Sequence, residues 1–180
     1  MKLHELSPVP GSNPKAYRKA VALLAESEFI DIFGVENSLT PAMDLFTKLG
    51  YLGLTCRLNT DAYLQQIGAG HLPHGAVAVA FSHSGSSADT VKALRLAKSH
   101  GAKTIAITNA IGAPLASWAD VTLLTGRDSH TIYGNAIFSR VADTALVDML
   151  YMGVILSGYG RFSTALDESG RMIRDRVFEN

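Results

Sequence analysis

Apolar residues recur along this chain with two different periods, and the two alternate. Tyr17, Ala20, Val21, Leu24 and Ala25 fall on one face of a helix predicted over Ala16–Glu28, and Asn13-Pro14 supplies its start. Phe29–Phe33 is then a short apolar run with the length of a strand. A helix over Pro41–Leu49 follows, with Thr40 as its cap and Gly50 as its stop. Thr55–Leu58 is a second strand, and Thr60-Asp61 caps a short helix towards Ile67. Ala76–Phe81 is apolar at every position, as a strand buried on both faces must be. The pattern repeats with a helix over Asp89–His100 closed by Gly101, a strand over Thr104–Ile107, a short helix over Pro114–Trp118 and a strand over Val121–Leu124. A long helix over Phe138–Leu156 and a helical stretch after Ser163, weakened by Gly170, end the chain.

Strands alternating with helices predict an α/β fold, a three-layer α/β/α sandwich around a mostly parallel sheet of about five strands. At 180 residues one domain is expected, over 14–160, with a leader over 1–13 and a tail helix over 161–180. In such folds ligands bind outside the carboxyl ends of the strands, so the loops that follow strands face the site.

Composition narrows the functions open to this chain. Lysine plus arginine and aspartate plus glutamate number 16 each, so there is no basic field for a nucleic acid. Cys56 is the single cysteine, which precludes an internal disulfide and reads as a small core residue. Met1-Lys2-Leu3-His4-Glu5 lacks the apolar core of a signal peptide, and Met149–Leu156 is too short to span a bilayer. The expectation is a cytoplasmic protein that touches no membrane and needs no cofactor. Met149–Leu156 carries no charge over two helical turns, so either a partner subunit or the tail from Ser163 must cover it.

The segment Ser82-His83-Ser84-Gly85-Ser86-Ser87 holds the densest chemistry. It lies between a buried strand and a helix start, where backbone N–H groups face outward at a positive helix end. Four serine hydroxyls add donors, and Gly85 lets the backbone approach a ligand. That arrangement suits a phosphate monoester; an ordinary serine-rich turn is the alternative. Neither a dinucleotide glycine motif nor a nucleoside-triphosphate loop is present. The loop after the first strand carries Glu36, Asn37 and Ser38 to the same edge, with Thr60-Asp61 and Thr108-Asn109 placed likewise. His71 and His74 precede a strand, on the opposite edge, and read as a solvated loop rather than a metal site. His130 is on the useful edge, Lys92 is one turn into the helix after the serine loop, and Leu115 and Trp118 pack a short helix.

These loops, together with Ala97-Lys98, Gly101–Asn109, Pro114-Leu115-Ala116 and Ala119-Asp120-Val121, resemble the SIS (sugar isomerase) domain over about Tyr17–Leu156. Ser139-Arg140-Val141-Ala142 with Val147-Asp148-Met149-Leu150 is most similar to the segment that closes the effector domain of RpiR/MurR-type transcription regulators. The resemblance implies that Ser82, Ser84 and Ser87, with Ser38, bind a sugar phosphate, while His83 stands at a variable position. That family's first loop usually carries glycine where this chain has Glu36, and a carboxylate repels a phosphate unless it faces the sugar or a cation. The regulators also carry a helix-turn-helix domain, for which the residues before Phe29 are too few. A freestanding protein and a piece of a longer regulator both remain open.

Three functions follow from different classes. The first is a non-catalytic phosphosugar sensor working as a homodimer or homotetramer. The second is an aldose–ketose isomerase or related lyase, which needs a base. The family's isomerases place a glutamate near the start of the last helix. Tyr133–Arg140 holds no carboxylate, leaving Glu36 and His130 as substitutes. The third, an assembly module with a dead pocket, conflicts with the intact serines.

Overall fold

The structure, a computed structural model, describes residues 13–126 and 140–174. Asn13 caps α1 (Pro14–Glu26) by accepting from the Lys15 amide, and Pro14 sits in the first turn, where no N–H is required. The other elements are β1 (Ile30–Phe33), α2 (Leu39–Tyr51), β2 (Cys56–Leu58), α3 (Ala62–Ala69) and β3 (Val77–Phe81). After these come α4 (Ala88–Ser99), β4 (Lys103–Thr108), β5 (Val121–Leu124), α5 (Val141–Ser157) and α6 (Tyr159–Met172). Two 3-10 turns, Glu36–Ser38 and Pro114–Trp118, complete the chain order.

All neighbouring strands are parallel, in the order β2-β1-β3-β4-β5. Strand residues alternate between two cores. Ile30, Ile32, Val77, Val79, Phe81, Ile105 and Ile107 meet α1, α2 and α5 on one face. Phe33, Ala78, Ala80 and Ala106 meet Ala93, Leu94 and Ala97 of α4 on the other, and this run of alanines lets that helix lie close to the sheet. The result is the expected three-layer sandwich. One charged pair is built into the second face. Asp31 is buried in β1, and Arg57 of β2 reaches it through Nε and Nη2 at 3.0 and 2.6 Å. Burial still pushes the Asp31 carboxyl above its ordinary value against the pull of Arg57. Cys56 is half-buried, and burial pushes its thiol up to about 12.

Several boundaries differ from the sequence pattern. Thr40 does not cap α2: a 3-10 turn over Glu36–Ser38 leads into Leu39, and Pro41 falls within the first turn, where it fits. Gly50 does not stop α2 either, because the helix continues to Tyr51 and turns at Gly53, where φ is 70°. Asp61 does cap α3, accepting from the Leu64 amide at 2.9 Å. The described part of the long helix begins at Val141, and residues 127–139 lie outside the described residues.

The charge-free turns of α5 are covered first by helices that the sequence did not point to, with Leu166 of the tail packing on the same core and Met152 left exposed. Leu146, Val147, Leu150 and Val154 are buried in the core shared with α1 and α2, while α6 closes the far end through Phe162. Tyr17 of α1 donates to the Met149 carbonyl at 2.6 Å. Among the described residues no single helix is long and apolar enough to cross a membrane.

Candidate functional site

The strand order reverses direction between β1 and β3, and chain connections leave these neighbours towards opposite sides of the sheet. That leaves a crevice at their carboxyl ends. The register pairs Phe33 with Ala80, so the two strands end almost level. Their loops enclose a cleft of about 590 Å³, within the range of small-molecule sites.

One wall is the loop after β1. Buried Gln65 fixes its base by accepting from the Gly34 amide and donating to the carbonyls of Gly34 and Asn59, at 3.2, 2.7 and 2.8 Å. The chain then turns through Glu36, whose φ of 51° is the left-handed conformation that favours glycine. Glu36 and Asn37 are exposed at the cleft's rim, and Ser38 is buried within it. The Ser38 side chain does not cap α2, so its hydroxyl is not consumed by the helix.

The other wall is the loop after β3. Ser82, buried at the strand end, keeps its ladder bond to the Ile107 carbonyl. The His83 carbonyl accepts from the Asn109 amide at 3.0 Å and the Thr108 hydroxyl at 3.1 Å, so Thr108 and Asn109 brace the loop. Gly85 has φ 63°, and a Cβ there would lie 2.3 Å from the Ala113 Cβ. Glycine is therefore required by packing behind the loop, and Gly85 does not line the cleft. Ser84, Ser86 and Ser87 do line it. Ser87 precedes α4 without capping it through its side chain, and its Oγ accepts from Thr90 at 3.3 Å, which leaves its own proton to donate. The first turn of α4 adds outward amides and the positive end of its dipole.

Arg140, immediately before α5, forms the third side. Its Nε and Nη1 are buried with no hydrogen-bond partner among the described residues. Asp143, buried in the first turn of α5, places a carboxylate oxygen 3.9 Å from both the Arg140 Nε and the His83 Nδ1. Burial lowers the His83 pKa, the neighbouring Arg140 lowers it further, and Asp143 opposes both. Asp89 also borders the cleft but is held from outside by Gln66 at 3.0 Å.

The cleft thus offers hydroxyl donors from two loops, a helix start and one guanidinium, a set that can hold an anion of phosphate size. Arg140 is the residue that reading by sequence did not single out. The rule that placed His130 on this edge, position after the last strand, applies equally to Arg140. His130 itself lies outside the described residues. Lys92 is exposed and does not line the cleft, and His71 and His74 are exposed at the other end of the sheet.

Residues 23–153 match the family model of the SIS domain. The chain belongs to the SIS domain family. This SIS domain is 30% identical over 168 residues to an HTH-type transcriptional regulator of Caldanaerobacter subterraneus, a match covering 93% of this chain and 60% of that protein. The chain therefore spans about three fifths of that curated relative. Among solved structures, the NanR protein of Vibrio vulnificus complexed with ManNAc-6P aligns with a TM-score of 0.86 at 24% identity, over 98% of this chain and 65% of that one. The sugar isomerase domain of the RpiR transcription factor from Sphaerobacter thermophilus aligns with a TM-score of 0.79 at 24% identity, over 89% of this chain and 88% of that one. Both share the SIS fold described above.

Proposed function

We propose that this SIS domain binds a phosphorylated sugar in the cleft between the β1 and β3 loops, as the effector-sensing part of an RpiR-type regulator of carbohydrate metabolism. The observation that carries the reading is the serine loop and α4 start facing Arg140, whose buried Nε and Nη1 lack hydrogen-bond partners among the described residues, the Asp143 carboxylate standing off at 3.9 Å. A buried guanidinium left in that state is costly, and an anion in the cleft repays it. Ser38, Asn37, Ser82, His83, Ser84, Ser86, Ser87 and Arg140 are the proposed ligand contacts, and Gly85 shapes the loop. The binding of ManNAc-6P by a neighbour of the same fold supports this class of ligand. On this reading the protein acts in the cytoplasm, and DNA would be met only through a helix-turn-helix domain outside this chain. A homodimer or homotetramer is part of the proposal, supported by exposed Val141, Met152 and Tyr159 on α5 and α6 and readable by light scattering.

A binding site is favoured over an isomerase because the regulator relative shares most of this chain. The competing observation is His83 beside Asp143, a titratable pair at the cleft. The deciding experiment combines two measurements. A panel of hexose and pentose phosphates, N-acetylamino forms included, is expected to contain a ligand that raises the melting temperature, while its unphosphorylated sugar does not. The same ligand incubated in deuterated water should show no exchange at the carbon next to the carbonyl. Equal stabilisation by both sugars would sink the binding reading, and steady exchange lost in His83→Gln would establish the isomerase.

A further inference from the structure

Glu36 carries two unfavourable terms at once. Its φ of 51° is a conformation that a residue with a Cβ adopts at a cost and that glycine adopts freely. Its carboxylate also stands at the rim of a cleft whose other groups are arranged for an anion, apart from Asp89, which Gln66 engages at 3.0 Å. No hydrogen bond, ion pair or capping contact engages the Glu36 side chain among the described residues, so local structure does not explain it. A strained non-glycine residue on a ligand-facing loop points to a use for its side chain.

Resting on the phosphosugar reading above, we propose that Glu36 is a specificity-determining residue that reads the charge of the sugar end of the ligand. The phosphate is held by the serine loop, the α4 start and Arg140, away from the carboxylate that would repel it. Glu36 on the opposite lip then faces the remainder of the molecule. An acceptor-only, negatively charged group there favours a sugar bearing an ammonium or other N–H donor and accepts neutral hydroxyls. It disfavours a second anion, whether a carboxylate or another phosphate. At a separation of about 6 Å near a protein surface, with physiological salt roughly halving the bare Coulomb energy, a like charge changes affinity on the order of tenfold.

Three hexoses with the same 6-phosphate and ring test this: glucosamine 6-phosphate, glucose 6-phosphate and glucose 1,6-bisphosphate, titrated calorimetrically into the parent chain and Glu36→Gln. The parent should bind the amino sugar most tightly and the bisphosphate about tenfold more weakly than glucose 6-phosphate. Glu36→Gln should bring the three within about twofold of one another. A parent that binds these ligands with ratios unchanged by Glu36→Gln overturns the inference and leaves the site reading standing. A parent that binds none of the three, nor any other phosphosugar, removes both. Glu36→Gly supplies the structural control. It should melt no lower than the parent, since glycine fits that φ, and a marked loss of melting temperature would show a structural role for Glu36 and overturn the inference.

Discussion

Ser84 and Gly85 are adjacent residues with opposite tasks. Gly85 turns its backbone against Ala113 and Thr108, so the loop stays in place; Ser84 presents a hydroxyl to the cleft. Ser84→Ala should therefore weaken phosphosugar binding about ten- to a hundredfold, because a hydrogen bond to a charged group contributes about 1.5–3 kcal/mol. Its cost to stability should stay within about 1 kcal/mol, since among the described residues the hydroxyl otherwise only accepts a long bond from the Ser86 amide at 3.3 Å. Ser99→Ala, at the far end of α4 and bonded to Leu96, should change neither. Calorimetric titration and thermal melting separate the outcomes, and normal binding by Ser84→Ala would move the phosphate site elsewhere. At this scale the serines were legible because they stand between a buried strand and a helix. Arg140 was not. Its role depends on which groups surround its guanidinium, and sequence spacing across the β5–α5 connection does not fix that.

Where elements meet, small residues decide how closely helices approach. Gly153 of α5 faces α1 so tightly that a Cβ would lie 2.4 Å from the Tyr17 hydroxyl and 2.7 Å from Val21. Gly153→Ala must push α1 away from α5 and break the Tyr17 bond to Met149. It should destabilise the domain by about 2–3 kcal/mol in chemical denaturation, despite the better helix propensity of alanine. A neutral result would mean that α1 shifts freely. From the sequence the same glycine reads as a mere weakness in an apolar helix. The apolar periods did place α1, β1, β3, α4 and β4 within a few residues, because each buries one regular face. They misplaced the start of α2, where Ser38 and Thr40 are equally good caps on paper. The choice was made by the left-handed turn at Glu36, which no propensity for glutamate anticipates. The share of α5's cover that α1 and α2 supply was missed for a related reason: charge-free turns announce burial but not the neighbour.

At the scale of the molecule, the strand order brings two loops about 45 residues apart in sequence to one crevice, and the start of α5 returns to it, with Arg140 lining the cleft and Asp143 beside Arg140 and His83. The ligand should consequently be felt in global stability, and His83 provides the means to read it. Burial and the nearby Arg140 hold its pKa below the ordinary 6.5 in the folded chain. Between that lowered value and about 6.5 the unfolded chain therefore binds more protons than the folded one. Stability must rise with pH across this window; the contribution is complete above about 6.5 and is lost as the pH falls through the folded value. A phosphate dianion beside the loop favours the imidazolium and raises the folded pKa, so the bound protein should lose less stability on acidification than the free one. The measurement is the melting temperature from pH 5.5 to 8, with and without the phosphosugar that binds, for the parent and His83→Gln. Comparing the two proteins removes the ligand's own titration near pH 6. The parent should show the steeper loss on acidification, and the phosphosugar should flatten it in the parent alone. Superimposable profiles for the two proteins would show that His83 lies outside the coupled cluster, and that Arg140 and Asp143 meet the ligand without it.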